Sequence, residues 1–170
     1  QPRKNLLRLL DAYARVRDSR DDMALLVLAG DAKQDEAELD ARIAELRLQS
    51  HVRRIGYVQG ESALRDLYAA AGVFAFPSLY EGFGLPVAEA MATGTPVLTS
   101  DTTALPEVAG GAAVLANPLD VASIADGLSR LLDDDALRAR CRDAGIARAG
   151  ELTWTAAPPA TSGNAVVSVS

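Results

Sequence analysis

The twenty residues Ser78–Val97, SLYEGFGLPVAEAMATGTPV, carry the most informative pattern of this chain. They follow a short apolar stretch, Val73–Phe76, that is typical of a buried strand. Gly82 and Gly84 can take positive φ and let the backbone approach a ligand closely. Pro86 suits the first position of a helix, and the Ala-rich residues after it continue one. The stretch therefore predicts a strand, a turn and a helix in direct succession.

A carboxylate stands at each end of this turn and helix, because seven residues separate Glu81 from Glu89. The amides of Gly84, Leu85 and Val87 should lack helical partners and point outward. Such a helix end attracts phosphate, whereas Glu89, about one turn into the helix, suits sugar hydroxyls better. We predict a binding site for an anionic, hydroxyl-rich ligand. A single glycine could be present only for packing, and a single glutamate could simply be solvated. Such a purely structural role explains the combined pattern poorly.

Composition and charge restrict the function further. A chain of 170 residues with 49% hydrophobic and 24% charged residues is typical of one soluble domain. No apolar run approaches the ~20 residues of a membrane helix, and no secretory signal is visible, although the sequence does not begin with Met. The net charge of −6 without a basic cluster argues against nucleic-acid binding. An anionic ligand would need locally placed cations and helix ends.

Strands and helices alternate along the chain. Apolar runs predict strands at Ala24–Ala29, Val52–Ile55, Val73–Phe76, Pro96–Thr99 and Ala112–Leu115, with amphipathic helices between them. This order predicts an α/β fold with a doubly wound, Rossmann-like parallel sheet. Ligands of such sheets bind beyond the carboxyl ends of the strands. Gly30 and the loops at 56–60, 78–85 and 100–105 should therefore meet at one edge.

The end of the chain has a different character. Pro158, Pro159 and small polar residues exclude a regular helix there. Ala165–Val169 alternates only weakly between apolar and polar residues. We expect residues 156–170 to form an irregular tail.

The segment Glu81–Val97, EGFGLPVAEAMATGTPV, resembles the donor-site signature of retaining GT-B glycosyltransferases of the group 1, or family 4, type. The resemblance covers about residues 2–155. It implies that residues 1–155 are the C-terminal, nucleotide-sugar-binding half of a GT-B fold with its first strand truncated. It also implies that the N-terminal acceptor domain is absent from this chain.

The resemblance also implies roles for individual residues. In the family, the residue at the place of Glu89 holds the ribose and the one at the place of Glu81 contacts the transferred hexose. The turn between them meets sugar and phosphate through backbone amides, which here belong to Gly82, Phe83, Gly84 and Leu85.

Lys4 is the candidate phosphate cation. Pro2-Arg3-Lys4-Asn5 precedes the first amphipathic helix, and the family has a lysine at the place of Lys4. The family's strand and arginine upstream of that lysine are missing, and Arg3 is not at that arginine's place. The resemblance implies that Lys4 and Glu81 are the catalytic residues. By itself Lys4 would be an exposed charge at a helix start, close to an end of the chain that should fray.

Two further positions are weaker candidates for donor binding. Val58, in the loop Gly56–Glu61, matches a family residue whose backbone reads the nucleobase, and Gly30 follows the first strand. An ordinary strand-to-helix connection would explain the Val58 loop equally well. His51 is the only histidine and precedes a strand, so we expect a surface residue and no metal site.

The implied activity is transfer of a hexose from a nucleotide diphosphate sugar, with retention and without a required cofactor, to a glycan or lipid-linked acceptor. The opening residues favour GDP-mannose over a UDP-hexose. We expect a cytoplasmic location, which includes the inner membrane surface, and an inactive isolated domain. Two alternatives remain: another GT-B enzyme, such as a sugar epimerase, and a non-catalytic nucleotide-sugar-binding regulatory module. Asp31 and Asp101 match the acidic cluster of regulatory receivers only thinly.

Overall fold

The computed structural model describes residues 2–20, 22–30, 36–152 and 165–169. Within these ranges a 3₁₀ turn at Pro2–Lys4 precedes seven helices and six strands. The helices are α1 (Leu6–Arg17), α2 (Glu36–Glu45), α3 (Glu61–Ala70), α4 (Leu85–Ala92), α5 (Leu105–Ala109), α6 (Val121–Asp133) and α7 (Asp135–Glu151). The strands are β1 (Leu25–Ala29), β2 (Val52–Gly56), β3 (Val73–Phe76), β4 (Val97–Ser100), β5 (Val114–Ala116) and β6 (Ala165–Val169). Asp31 and residue 155, the expected domain boundary, lie outside the described residues.

The strands form one sheet in the order β2-β1-β6-β3-β4-β5. β1 pairs in parallel with β2, and β3, β4 and β5 pair in parallel with one another. Helices cover both faces, because alternate side chains of β3 enter two separate apolar clusters. α1, α2 and α6 pack against the strands in one cluster, α3, α4 and α5 do so in the other, and α7 contributes a residue to each. The expected doubly wound, Rossmann-like α/β fold is confirmed.

β6 corrects two expectations. Residues 165–169 are not irregular, and the sheet is not wholly parallel, because β6 lies antiparallel between β1 and β3. Val167 is the backbone partner of both Val27 and Phe74. Buried backbone groups need hydrogen-bond partners, and a strand of either direction can supply them to two facing strands. The prediction was wrong for residues 165–169, because their weak alternation gives no sign of a central position that depends on long-range pairing with β1 and β3. Residues 156–164 of the expected tail lie outside the described residues.

Candidate functional site

Residues at the start of the chain are bound to the loop that follows β3. The carbonyl oxygen of Arg3 accepts a hydrogen bond from the amide of Leu79 at 2.7 Å. The side-chain amide of Asn5 donates to the carbonyl of Pro77 at 2.9 Å and to a carbonyl of the loop before α6 at 2.6 Å. The expected fraying is therefore wrong for Arg3, Lys4 and Asn5. Hydrogen bonds to residues about 70 positions further along the chain hold this segment in place, although few residues precede it.

Lys4 and Glu81 form a buried ion pair. Lys4 Nζ lies 2.8 Å from Glu81 Oε1, and the two side chains are only 2% and 9% exposed. The ammonium group also lies 4.4 Å from the centre of the Phe76 ring, an arrangement that stabilises a cation. Ser78 Oγ lies 2.9 Å from the same carboxylate oxygen and can donate its proton to it. Lys4 is thus not an exposed charge at a helix start.

The pKa of Lys4 shows the balance of forces in this pair. Burial lowers the pKa below its usual value, because a cation loses hydration in the interior. The hydrogen bond to Glu81 and the charge of its carboxylate oppose that change, whereas nearby Arg3 adds to it. The carboxylate is therefore the main group that keeps Lys4 charged.

Arg3 adds a second cation beside the same carboxylate. Its guanidinium lies 3.5 Å from Glu81 Oε2, and its side chain is 49% exposed. Two cations against one carboxylate leave a local positive charge in a chain whose net charge is −6. This spot can attract an anion against the mean field of the protein.

The turn Gly82–Leu85 presents backbone donors next to this pair. Among the described residues, no acceptor is within hydrogen-bond reach of the amides of Gly82, Phe83, Gly84 or Leu85. The amide of Val87 donates to the carbonyl of Gly84 at 3.0 Å, so the expectation that it is free is wrong. The reason is that α4 begins at Leu85, one residue early, which places Pro86 second and lets Val87 close the first turn.

Gly84 has a conformation that the turn requires. Its φ is 93°, in the left-handed region, and an added Cβ would lie 2.6 Å from Leu105 Cδ2 of α5. A side chain at this position would be strained and would also displace the buried side chain of Leu105. Gly82 has open space around its Cα, and Phe83 between the two glycines is exposed. Gly84 therefore fixes the conformation of the turn, and Gly82 leaves space beside the backbone.

Glu89 lies in a separate cleft between α3 and α4. The cleft has a volume of about 400 Å³ and is lined by Glu61, Leu64, Arg65, Tyr68, Glu89, Ala92 and Thr93. The hydroxyl of Tyr68 donates to Glu89 Oε2 at 3.3 Å. Burial raises the pKa of Glu89, and the charge of Glu61 raises it further, whereas the Tyr68 hydrogen bond opposes the rise. The carboxylate can accept hydrogen bonds from hydroxyl groups that enter the cleft.

Gly30 and Val58 follow β1 and β2 at the same edge of the sheet. The amide of Gly30 donates to the carbonyl of Gly56 at 2.6 Å, which ties the two strand ends together. Because β6 separates β1 from β3, this part of the edge is about 10 Å from the strand that carries the Glu81 loop. No hydrogen bond between described residues joins it to the Lys4–Glu81 pair. His51 precedes β2 and lies at the opposite edge.

The family model described as "Glycosyl transferases group 1" matches residues 1–148. This chain belongs to that family. The O-antigen chain mannosyltransferase B of Escherichia coli is 39% identical over 154 residues, which are 91% of this chain and 40% of the relative. The MMP alpha-(1->4)-mannosyltransferase of Mycolicibacterium hassiacum is 41% identical over 157 residues, or 90% and 37% of the two chains. The chain thus spans about two fifths of the length of these relatives.

Solved structures give the same assignment of the fold. HepE of Anabaena, crystallised with UDP-glucose, superposes with a TM-score of 0.79 at 25% identity. The match covers 89% of this chain and 42% of HepE. The group 1 domain is therefore one Rossmann-like half of a GT-B fold.

Four residues of this glycosyltransferase domain contribute to the candidate site without having been predicted from the sequence. Ser78 and Phe76 contact the Lys4–Glu81 pair, Asn5 anchors the start of the chain, and Tyr68 contacts Glu89. Ser78 begins the stretch Ser78–Val97, and Asn5 ends the motif Pro2-Arg3-Lys4-Asn5, so each lies close to a candidate site residue in the sequence. Tyr68 and Phe76 fit the apolar pattern of a helix and a strand, and nothing in that pattern indicates a polar contact.

The described residues offer neither a helix that could span a membrane nor a cluster of metal ligands. None of the helices there has the length and apolar character that a bilayer span requires. No group of three or more His, Cys, Asp or Glu side chains in those ranges could hold a metal ion.

Proposed function

We propose that this chain is the donor-binding domain of a hexosyltransferase that uses a nucleotide diphosphate sugar. The observation that carries the proposal is the open turn Gly82–Leu85, with four amides that have no acceptor among the described residues, beside the Lys4–Glu81 pair. Backbone amides and a cation at a helix start together form a site for a diphosphate. The cleft that contains Glu89 lies on the same helix and suits the hydroxyl-bearing part of the nucleotide.

The charges suggest how the domain assists the reaction. Negative charge grows on the diphosphate as the bond to the hexose breaks, and groups fixed in advance can stabilise it. We assign this role to the turn amides and to Lys4, with Arg3 as an additional cation. Glu81 holds Lys4 in place and positions the hexose. The proposed transfer proceeds with retention and without a metal or other cofactor.

The donor assignment comes from relatives. The two proteins compared above are named mannosyltransferases, whereas HepE was solved with UDP-glucose. We therefore propose GDP-mannose as the donor, with a UDP-hexose as the alternative. The proposed acceptor is a glycan or a lipid-linked sugar bound by an N-terminal domain, and the proposed location is the cytoplasm or the inner membrane surface. On their own, residues 1–170 should bind the donor but not transfer the sugar.

Calorimetric titration with GDP, UDP, ADP and inorganic phosphate tests the proposal. One nucleoside diphosphate should bind with a dissociation constant on the order of 0.1–1 mM and more tightly than phosphate. Glu89→Ala should weaken nucleotide binding and leave phosphate binding unchanged. His51→Ala, at the opposite edge of the sheet, is the matched control and should change neither. If no nucleotide binds more tightly than phosphate, the proposed function is wrong.

A further inference from the structure

The cleft between α3 and α4 contains a buried tyrosine whose hydroxyl faces the one carboxylate of α4. Tyr68 is 2% exposed, and its hydroxyl lies 3.3 Å from Glu89 Oε2. Among the described residues, no other side chain donates a hydrogen bond to Glu89. One carboxylate oxygen is therefore held from the protein side, and the second remains available for a ligand in the cleft.

A row of aromatic rings keeps the tyrosine in place. The Tyr68 ring packs edge-on against Phe74, with centroids 5.1 Å apart and planes at 85°. Phe74 stacks on Phe76 at 5.7 Å, and Phe76 lies 4.4 Å from the ammonium group of Lys4. Buried rings in such contacts have little freedom to turn. The row thus ends at Glu89 on one side and at Lys4 on the other.

The direction of the hydrogen bond is fixed by protonation. Burial raises the pKa of Tyr68, and the charge of Glu89 raises it further, so the phenol stays protonated at neutral pH and can only donate to the carboxylate. Glu61 and Arg65 of α3 are the other ionisable side chains that line the cleft. Glu61 favours the protonated form of Glu89, whereas the Tyr68 hydroxyl favours the charged form.

We propose that Tyr68 is a positioning residue for donor binding: its hydroxyl fixes the carboxylate of Glu89, in the charged form, for the hydroxyl groups of the nucleotide. The proposal rests on the proposed function for the identity of the ligand. The hydrogen bond and its effect on Glu89 are properties of the free protein. They can therefore be tested separately.

The first experiment follows the carboxyl carbon of Glu89 by NMR during a pH titration of the free protein. Tyr68→Phe keeps the ring and its packing and removes only the hydroxyl. The pKa of Glu89 should rise by about half to one unit in this variant, because the charged form loses its donor. Tyr13→Phe is the matched control, since that buried hydroxyl donates to the carbonyl of Ala24 on the other face of the sheet. It should leave the Glu89 titration unchanged.

A second variant covers the case in which Tyr68→Phe does not fold. In Glu89→Gln the tyrosine keeps its place but loses a charged acceptor. The pKa of Tyr68, followed through the NMR signal of its phenolic carbon so that it is distinguished from the other three tyrosines, should then fall. An unchanged Glu89 titration in a folded Tyr68→Phe protein, or an unchanged Tyr68 titration in Glu89→Gln, overturns the proposed contact.

The second experiment measures affinity for GDP and UDP by calorimetry. Tyr68→Phe should weaken the preferred nucleotide three- to tenfold, and the double variant with Glu89→Gln should be no weaker than Glu89→Gln alone. A shifted Glu89 pKa with unchanged nucleotide affinity overturns the positioning role. If the wild-type protein binds no nucleotide while the Glu89 pKa still shifts, the proposed function has failed and the contact has not.

Discussion

Replacing Glu81 by alanine should leave Lys4 as a buried cation without its carboxylate partner. At 2.8 Å and an effective dielectric constant of about 20, the attraction within the pair is about 6 kcal/mol before the cost of desolvation. Removing one member of a buried pair costs roughly 3–5 kcal/mol of unfolding free energy, because the remaining charge is uncompensated. Phe76 still faces the ammonium group, which places the expected loss near the lower value.

Thermal unfolding followed by circular dichroism measures this loss. A loss of about 3 kcal/mol should lower the Tm of a domain of this size by roughly 6–12 °C. Glu45→Ala is the matched control, since Glu45 pairs with Arg42 but its side chain is 67% exposed. It should lower the Tm by less than about 3 °C. Replacing Lys4 by methionine in the Glu81→Ala background removes the unpaired charge and should recover much of the loss.

The pH dependence gives an independent check. The pKa of Lys4 is lower in the folded protein than its usual 10.5. At pH values between the lowered pKa and 10.5, the unfolded chain therefore binds more protons than the folded protein. Stability therefore rises with pH in that range. Loss of Glu81 removes the interactions that raise the pKa of Lys4, which extends the range towards neutral pH. The Tm deficit of Glu81→Ala should shrink as the pH rises from about 7 to about 9.5. A deficit below about 2 °C, or no recovery in the double variant, would show that the pair is not buried as described.

Four further predictions concern other parts of the structure. Gly84→Ala should lower the free energy of unfolding by about 1–3 kcal/mol in chemical denaturation, because φ is 93° at this position and the new Cβ would meet Leu105 of α5. Gly82→Ala should lower it much less, and equal losses would contradict the described turn. Val167→Pro should destabilise the domain by about 3 kcal/mol or more, since this residue pairs with strands on both sides, and an unchanged Tm would remove β6 from the sheet. Lys4→Met should reduce the salt dependence of nucleoside diphosphate affinity in calorimetry, with Arg3 supplying the remainder, and an unchanged salt dependence would assign the phosphate to other groups. Glu89→Ala should weaken the nucleotide about tenfold or more, and an affinity within about twofold of wild type would exclude its contact with the ribose.

The sequence was sufficient for those features that depend on local spacing. Apolar periodicity predicted the five parallel strands and the helices between them, with errors of one or two residues at their ends. The glycines and the proline of the signature predicted the turn and the start of α4. These predictions succeeded because a turn and a helix start depend on residues within a few positions of each other.

Only the tertiary structure decided which distant residues meet. Lys4 and Glu81 are 77 positions apart, and Tyr68 and Glu89 are 21 apart, so neither contact follows from the spacing of its members. The same holds for β6, which has a weak strand pattern and yet pairs with two strands at the centre of the sheet. By itself, the sequence determined the fold class, the open turn and the two carboxylates of the signature. The partners of the two carboxylates were decided by the tertiary structure. A buried charge or backbone group is costly without a partner, and the packing around β3 determines which distant residue supplies it.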